Sequence, residues 1–373
     1  MNRILAVHPS DELYGADRVL LQSVEVLERR GRVRVWLPND LAYASRQLTR
    51  ELTARQVHVS RHDLAVLRRE YARPRGLPGL VARAWRTLRD LARARPSLVY
   101  VNTSAMLPVA PLARLVGARV VVHVHEAWTR TEQVLLGPLL WCCHRVVAVS
   151  DAVARPLPVS RSRVTVVHNG VDAPETEPGA RAALRASVGV GAEETLVLVA
   201  SRWNRWKGLD VLLDAWSRLD RDDLHLVVLG GPPPSGTAVD VEGIVAAMPR
   251  GSTVSVVGEV EDAAEWFAAA DVVAVPSIAP DPFPLVAVEA AAHGVAVLAS
   301  RIGGLPEMVI DGVTGTLVEP GDAAAWAKAL GASSRTSLDA AGRAGAARHR
   351  EGFTHSAYAQ RLDAVLREAV QQP

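Results

Sequence analysis

The chain has few cysteines and no uninterrupted apolar run, and each shortage excludes a class of protein. Its 373 residues include two cysteines, Cys142 and Cys143, which are adjacent and cannot form an ordinary structural disulfide. A disulfide scaffold is therefore excluded, and we expect a reducing, cytoplasmic setting without a secretory signal. The most apolar window, residues 134–153, is interrupted by charged side chains, which excludes a transmembrane helix there.

Neither sign of charge is in excess. Lysine and arginine number 42, and aspartate and glutamate number 40, so the formal net charge of +2 predicts no nucleic-acid partner. Lysine itself is scarce, since only Lys207 and Lys328 occur. The segment from Arg61 to Arg95 is strongly basic, because it contains ten arginines and only three acidic residues. This segment predicts either peripheral contact with the inner face of an anionic membrane or a solvated helix face, and we favour the solvated face.

Strand-like and helix-like segments alternate along the chain. In the first half, strand-like runs cover residues 4–7, 33–37, 98–102, 120–125, 146–150 and 164–168. Helical patterns lie between them, at residues 16–29, 80–94 and 133–143. After a polar, linker-like stretch with proline and glycine, residues 172–179, strand-like runs resume. They cover residues 196–200, 224–229, 254–257, 272–275, 295–299 and 315–318.

This alternation predicts an α/β fold with two Rossmann-like, doubly wound domains. We place the first domain at residues 1–173 and the second domain at residues 174–355. The last residues, 356–373, predict a helix that packs back on the first domain. Two such domains are expected to face each other across a cleft, which is a common kind of ligand site.

Two carboxylates, Asp281 and Glu289, stand eight residues apart where a strand-like run gives way to a helix-like one. On a continuous helix that separation spans about 12 Å. Retaining glycosidases hold their two carboxyl groups about 5–5.5 Å apart. Asp281 and Glu289 therefore predict two contacts on one extended ligand and not an acid–nucleophile pair.

A cationic turn lies in the same half of the chain. Arg202, Arg205 and Lys207 follow a strand-like run and precede a helix-like one. The N-terminus of a helix beside such cations is where a diphosphate would bind. The alternative is a solvated basic loop.

The first half offers two weaker candidates. Gly15 lies between the first strand and the first helix, where it either lets the backbone approach an anion or is a plain turn glycine. No G-x-G-x-x-G pattern accompanies it, so a dinucleotide fingerprint is absent. His123 and His125 end a strand. One interpretation is that such a histidine places its imidazole or its backbone carbonyl beside a substrate, and the other is that it is a core or capping histidine. A zinc site would need a third ligand.

In their order and spacing these pieces resemble a retaining glycosyltransferase of family 4, with the GT-B fold. The resemblance covers nearly the whole chain and is carried by Tyr14-Gly15-Ala16, His123 to Glu126, Ser150-Asp151, Asn169-Gly170, Arg202 with Lys207-Gly208, Gly230-Gly231, Gly258-Glu259, Asp281 with Glu289, and Gly303 to Glu307. It departs from the usual pattern at three positions, where Asp281 replaces glutamate, and Pro284 and Tyr14 replace glycine. Aspartate is one methylene shorter, so its reach to the sugar changes.

The resemblance implies that the first domain binds the acceptor and the second binds the nucleotide sugar, and it implies roles for individual residues. Arg202 and Lys207 would hold the donor diphosphate, Glu289 the ribose, and Asp281 the hydroxyls of the transferred sugar. The implied donor-binding set is Gly15, Arg202, Lys207, Gly258, Asp281, Phe283, Leu285, Val286 and Glu289. The implied catalytic set is His125, Arg202, Lys207 and Asp281. The implied acceptor-side residues are His123, Glu126 and Arg130.

The implied activity is retaining transfer of a sugar from a UDP- or GDP-sugar to a hydroxyl of a glycan, lipid-linked or small-molecule acceptor. Such transfer would serve cell-surface glycan or glycosylated natural-product biosynthesis. It would need no metal and no cofactor, since the nucleotide sugar is a substrate. Other activities also stay open: a nucleotide-sugar epimerase or hydrolase, a pyridoxal-dependent phosphorylase, for which neither lysine is a good candidate, or a catalytically idle nucleotide-sugar-binding subunit.

Overall fold

The computed structural model describes residues 2–43, 45–68, 77–174, 177, 179–233, 237–249 and 251–371. The chain divides into two compact units. Unit 1 comprises residues 1–169 and 355–373, and unit 2 comprises residues 170–354. Part of the arginine-rich segment, residues 69–76, and part of the predicted linker, residues 175, 176 and 178, lie outside the described residues.

The described strands and helices alternate through most of the chain. The strands are β1 (Asn2–Val7), β2 (Gly31–Pro38), β3 (His58–His62), β4 (Leu98–Asn102), β5 (Arg119–Val124), β6 (Arg145–Ala148), β7 (Val164–Val166), β8 (Thr195–Ala200), β9 (Leu224–Leu229), β10 (Val254–Gly258), β11 (Val272–Val275), β12 (Ala296–Ser300) and β13 (Gly315–Val318). The helices are α1 (Gly15–Glu28), α2 (Gln47–Ala54), α3 (Leu77–Ala94), α4 (Val109–Leu115), α5 (Arg130–Leu140), α6 (Asp151–Ala154), α7 (Ala180–Ser187), α8 (Leu209–Ser217), α9 (Val241–Ala247), α10 (Ala264–Ala269), α11 (Leu285–Ala292), α12 (Leu305–Met308), α13 (Ala323–Ala332), α14 (Arg335–Gly352) and α15 (His355–Gln371).

Each unit is built on one sheet. Within the described residues, the unit 1 sheet has seven strands in the order β3-β2-β1-β4-β5-β6-β7. The unit 2 sheet has six, in the order β10-β9-β8-β11-β12-β13. Neighbouring strands pair in parallel throughout both sheets. In each sheet the strand order reverses beside the first strand, which confirms the doubly wound α/β prediction.

The last helix, α15, belongs to unit 1. Its buried Tyr358, Leu362 and Leu366 join the core formed by the sheet and α1. The Tyr358 hydroxyl lies 2.6 Å from that of Ser23 in α1, and Arg145 of β6 lies 3.2 Å from Glu368. Apolar burial, a buried hydrogen bond and an ion pair therefore fix this helix on the unit 1 sheet.

Local capping moves one helix away from its predicted position. The hydrophobic pattern predicts a helix at 133–143, but α5 spans Arg130–Leu140. Thr129 caps it, since its hydroxyl accepts from the Glu132 amide at 3.3 Å and the Glu132 carboxylate accepts from the Thr129 amide at 2.7 Å. This capping box starts the helix three residues earlier than its apolar face suggests.

Candidate functional site

The loops after five neighbouring strands of unit 2 carry predicted donor-site residues and glycines of the family pattern. Gly258 ends β10, Gly230 follows β9, Lys207 follows β8, Asp281 follows β11, and Gly303 follows β12. Because these strands are parallel, their carboxyl ends meet at one edge of the sheet. Ligands of open α/β sheets bind outside this edge, next to the point where the strand order reverses.

Lys207 and Asp281 form an ion pair at this edge. The Lys207 Nζ lies 2.6 Å from Asp281 Oδ2, and the side chains are 20% and 7% exposed. The resemblance assigns the two residues to different parts of a donor, whereas the structure pairs them with each other. The ammonium group therefore offsets the charge of a nearly buried carboxylate and fixes its direction.

Two glycines hold the backbone of this site in place. Gly303 has φ +60°, and a Cβ there would collide with the backbone of Asp281. The amide of the next residue, Gly304, donates to the Asp281 carbonyl at 2.8 Å. Gly208, which follows Lys207, has φ +72°, and a Cβ there would collide with the carbonyl of Pro276. The glycines thus let the loops after β8, β11 and β12 pack closely together.

Arg202 lies in an anchored loop. It is partly exposed, two residues beyond β8. The next residue, Trp203, is buried; its amide donates to the Gly231 carbonyl at 2.8 Å, and its carbonyl accepts from the Val239 amide at 2.7 Å. These bonds on both sides restrict the backbone from which the guanidinium extends.

Helix α11 presents its first turn at the same edge. It begins at Leu285 after Pro284, and the Pro284 side chain makes no capping hydrogen bond to its N-terminus. The amides of Leu285 and Val286 lie in that first turn, and the partly buried Glu289 lies one turn further on. An uncapped helix N-terminus directs amide hydrogens and a partial positive charge outward, which suits an anion.

Phe283 is a packing residue in this structure. It is buried, and its ring stacks on Phe353 with 6.2 Å between centroids. Its donor-binding role stays a prediction, because the side chain already has an apolar partner within unit 2.

The corresponding edge of unit 1 carries a buried hydrogen-bonded chain. His8 follows β1, Asn102 ends β4, and His125 follows β5. The His125 Nε2 lies 2.9 Å from Asn102 Oδ1, and Asn102 Nδ2 lies 2.8 Å from His8 Nδ1. The His8 Nε2 then lies 2.7 Å from the carboxylate of Asp17. Burial, with His123 and His8 nearby, lowers the pKa of His125 well below its usual value, so the ring is neutral.

His123 lies behind His125. It is fully buried, its Nδ1 lies 2.6 Å from the Tyr100 hydroxyl, and the two imidazole centroids are 4.1 Å apart. Burial lowers the pKa of His123 to about 3. Its acceptor-side role stays a prediction, and any effect on an acceptor would pass through His125.

Glu126 joins the loops after β4 and β5. Its carboxylate accepts from the Ser104 amide at 3.1 Å, the Ser104 hydroxyl at 2.7 Å and the His125 amide at 3.2 Å. Burial raises the pKa of Glu126 despite these bonds. The side chain therefore supports the loop that presents His125, and its acceptor-side role stays a prediction.

Gly15 and Arg130 begin two helices of unit 1, α1 and α5. A Cβ at Gly15 would meet no atom within 4 Å, so the fold itself does not require glycine there. Arg130 is exposed. Both positions are open to a ligand, and both assignments stay predictions.

Sequence reasoning missed the residues that end β4. Asn102 is fully buried, and Thr103 has φ +76°, which is rare for a β-branched residue. Among the described residues the buried Thr103 hydroxyl has no hydrogen-bond partner. Such strain and unmet hydrogen bonding concentrate at functional sites. The consecutive polar residues Asn102 to Ser104 directly after an apolar run were the available indication.

The described residues contain neither a membrane-spanning helix nor a cluster of metal ligands. No described helix is both long and apolar enough to cross a membrane. No group of three or more histidine, cysteine, aspartate or glutamate side chains in the described ranges is arranged to hold a metal ion.

Two family models match the chain on either side of the unit boundary. The model described as Glycosyltransferase Family 4 matches residues 14–175, and the model described as Glycosyl transferases group 1 matches residues 193–333. The chain belongs to the family 4 glycosyltransferases. Its two parallel-sheet units form the GT-B fold of that family.

Curated relatives of this family 4 chain match part of it. A D-inositol 3-phosphate glycosyltransferase of Mycobacterium sp. strain KMS is 42% identical over 173 residues, which are 45% of this chain and 39% of the relative. That of Mycobacterium tuberculosis is 38% identical over 224 residues, 56% of this chain and 44% of the relative. The match thus spans less than half the length of these relatives.

Solved structures resemble the chain over nearly its full length. Anabaena HepE in complex with UDP-glucose has a TM-score of 0.82 at 24% identity, covering 98% of this chain and 99% of that one. A glycosyltransferase from Rickettsia africae has a TM-score of 0.82 at 18% identity, covering 100% and 99%. At these identities the similarity shows the fold alone.

Proposed function

We propose that this protein is a retaining glycosyltransferase that moves a sugar from a nucleotide-diphosphate sugar to an acceptor hydroxyl. The observation that carries the proposal is the edge of unit 2, where the Lys207–Asp281 pair, Arg202 and the first turn of α11 follow the carboxyl ends of neighbouring strands. Cations and the first-turn amides of a helix suit a diphosphate, and carboxylates suit sugar hydroxyls. One extended ligand would use all of them.

The diphosphate is the leaving group, and negative charge grows on it as the glycosidic bond breaks. We assign its stabilisation to Arg202, Lys207 and the amides of Leu285 and Val286. Preorganised donors of this kind are commonly the largest single term in catalysis. Because these groups belong to the protein, the proposed reaction needs no metal ion.

The remaining donor contacts follow from the same placement. Glu289, one turn into α11, is proposed to bind the ribose, and Gly258 to face the nucleobase. Asp281, fixed by Lys207, is proposed to bind hydroxyls of the transferred sugar. Gly15 is proposed to let the α1 backbone approach the phosphates.

Retention is proposed to follow from attack on the face that the leaving group vacates. The acceptor oxygen forms a bond to the anomeric carbon as the bond from that carbon to the phosphate oxygen breaks. The acceptor proton passes to the phosphate oxygen, which leaves as the nucleoside diphosphate. No side-chain nucleophile is needed, and the single carboxylate beside Lys207 does not form a glycosidase-type pair.

The names of similar proteins suggest which substrates to test first. Because HepE was solved with UDP-glucose and with UDP, we propose a uridine donor before a guanosine donor. Because the curated relatives are named D-inositol 3-phosphate glycosyltransferases, we propose a small phosphorylated polyol as the first acceptor to test. Glycan and lipid-linked acceptors stay within the proposal.

A turnover experiment separates this function from its alternatives. The full chain is incubated with UDP- and GDP-sugars, with and without a panel of polyol phosphates, and the anomeric products are followed by NMR. Acceptor-dependent release of nucleoside diphosphate, with an anomeric configuration matching the donor, supports the proposal. Release without an acceptor indicates a hydrolase or epimerase, and binding without turnover of any acceptor indicates an idle subunit; each contradicts the proposal.

A further inference from the structure

Two loops of unit 1, those after β1 and β5, converge on Asn102 at the end of β4. Its amide group lies between His8, which follows β1, and His125, which follows β5. His8 and Asn102 are buried, whereas His125 is partly exposed. The chain of hydrogen bonds therefore runs from the core towards the one imidazole that has access to a ligand.

The orientation of the Asn102 amide follows from a backbone carbonyl. Asn102 Nδ2 lies 3.3 Å from the carbonyl oxygen of Ala16, which can only accept a hydrogen bond. The atom facing Ala16 and His8 is therefore the amide nitrogen, and the atom facing His125 is the oxygen. An oxygen at 2.9 Å requires a proton on His125 Nε2.

The far end of this hydrogen-bonded chain, at His8 and Asp17, agrees with the assignment. Because Asn102 donates to His8 Nδ1, the His8 proton is on Nε2, where it donates to Asp17 at 2.7 Å. The Asp17 carboxylate also accepts from the Tyr14 amide at 3.0 Å and from the Ser10 hydroxyl. Every donor in the chain thus faces an acceptor, so the arrangement is self-consistent.

We propose that Asn102, oriented by His8, is a positioning residue that holds His125 in its Nε2–H tautomer and leaves Nδ1 as an acceptor for a substrate hydroxyl. The identity of that substrate rests on the proposed glycosyltransferase function; the tautomer does not. With Nε2–H committed to Asn102, a neutral ring has only its Nδ1 lone pair to offer. His125 then orients a hydroxyl and is not the proton donor of the reaction.

Burial supports the same assignment. It lowers the pKa of His125 well below its usual value. The ring therefore stays neutral at physiological pH, as the tautomer assignment requires.

The test measures the tautomer directly, on the full chain without substrate. The histidines are labelled with nitrogen-15, and two-bond nitrogen–proton correlations identify which ring nitrogen carries the proton, with His125→Gln assigning the signals. We expect the Nε2–H tautomer for His125. An Nδ1–H tautomer or a doubly protonated ring at pH 7 overturns the proposal whether or not the protein transfers sugars.

Variants test whether Asn102 causes the tautomer. Asn102→Leu removes the hydrogen bonds of the amide to His8, Ala16 and His125, and we expect His125 to show mixed tautomers. Asn102→Asp keeps an acceptor facing His125 Nε2, although its second oxygen faces His8 Nδ1 and the Ala16 carbonyl without a proton to donate. We therefore expect the Nε2–H form of His125 to persist and its pKa to rise. Tyr100→Phe is the matched control, because it changes a neighbouring buried polar group of β4 without touching the amide. Unchanged tautomers in a folded Asn102→Leu, or an Nδ1–H form in Asn102→Asp, overturn the proposal.

Kinetics separates positioning from general support of the fold. Misplacing a reacting group by about 1 Å costs up to ~10²-fold in rate, so we expect Asn102→Leu to lower kcat by up to that factor with the donor KM unchanged. Asn102→Asp should recover most of the loss. A wild-type kcat in Asn102→Leu would overturn the positioning role even with the predicted tautomer. Absence of transfer by the wild type would instead contradict the proposed function and leave the tautomer result standing.

Discussion

The carboxyl-end edges of the two sheets are built alike but carry different chemistry. In unit 2 the edge is charged, with Lys207 and Asp281 paired at 2.6 Å beside Arg202. In unit 1 the edge is a neutral hydrogen-bonded chain, with the Asp17 carboxylate at its far end from His125. The difference suggests a division of labour in which unit 2 binds and stabilises a charged donor, while unit 1 orients a neutral group.

The largest expected effect comes from removing the unit 2 cation. Lys207→Ala should lower kcat by about 10²–10³, as for loss of one preorganised donor. Lys328→Ala is the matched control, because Lys328 is the one other lysine of the chain and is exposed. Steady-state kinetics with a UDP-sugar checks this, and a wild-type kcat in Lys207→Ala would remove the residue from the diphosphate site.

A double variant sharpens the same comparison by separating stability from catalysis. Lys207→Met leaves the nearly buried Asp281 carboxylate without its cation and should lower the free energy of unfolding by roughly 2 kcal/mol, less than for a fully buried pair. Adding Asp281→Asn should restore most of that stability but no activity. Urea unfolding measures the stability of each variant, and turnover measures its activity. If the double variant is no more stable than Lys207→Met alone, the ion pair does not stabilise this site.

Glu289→Gln tests the other carboxylate of unit 2. A hydrogen bond to a charged group contributes about 1.5–3 kcal/mol, so the donor KM should rise roughly tenfold or more. Glu265→Gln, an exposed position on α10 of the same unit, is the control. An unchanged donor KM with altered acceptor kinetics would mean that Glu289 acts on the acceptor and that its assignment to the donor is wrong.

The neutral edge of unit 1 predicts a pH dependence of stability. The pKa of His123 is lowered from 6.5 to about 3, because the ring is buried. Below pH 6.5 the unfolded state binds a proton that the folded state does not bind until about pH 3, so stability falls as the pH drops through this window. The slope approaches about 1.4 kcal/mol per pH unit for one such group.

Urea unfolding at a series of pH values checks this slope. His123→Leu should flatten it, whereas Tyr100→Phe, which keeps the histidine, should leave it nearly as steep. If His123→Leu has the same pH dependence as the wild type, the neutral ring does not account for the acid sensitivity.

The smallest expected effect concerns the arginine-rich segment. In its described part, Arg83 and Arg86 both pair with Asp63, and Arg89 pairs with Asp90. Because these aspartates partly offset the arginine charges, Arg83→Gln, Arg86→Gln and Arg89→Gln together should change binding to anionic vesicles by less than ~1 kcal/mol per charge. Co-sedimentation at low and high salt measures it. If the wild type pellets with vesicles in a salt-sensitive way and the triple variant does not, the result favours peripheral membrane contact over the solvated face.

The sequence predicted the unit 2 edge better than the unit 1 edge, for a physical reason. Charged residues and glycines after apolar runs, such as Lys207, Asp281 and Gly303, mark loops at the carboxyl ends of strands. Their mutual contacts were not predictable, because the Lys207–Asp281 pair joins loops 74 residues apart in the chain. The doubly wound fold followed from alternation alone, whereas the start of α5 depended on a local cap.

The unit 1 network was harder to predict because its members are short polar residues inside apolar strands. Asn102 lies 94 residues from His8 and 23 from His125, and the pattern around it resembles the end of any buried strand. Only the parallel order β1-β4-β5 brings the three together. His125 was named as a candidate, but its partners were not.

Calorimetric titration of the full chain with UDP and GDP tests the central claim, a diphosphate site at the edge of unit 2. We expect one of the two to bind below about 1 mM, and Lys207→Ala to weaken that binding by roughly tenfold or more while Lys328→Ala does not. If neither nucleotide binds at millimolar concentration, or if Lys207→Ala binds as tightly as the wild type, the account is contradicted.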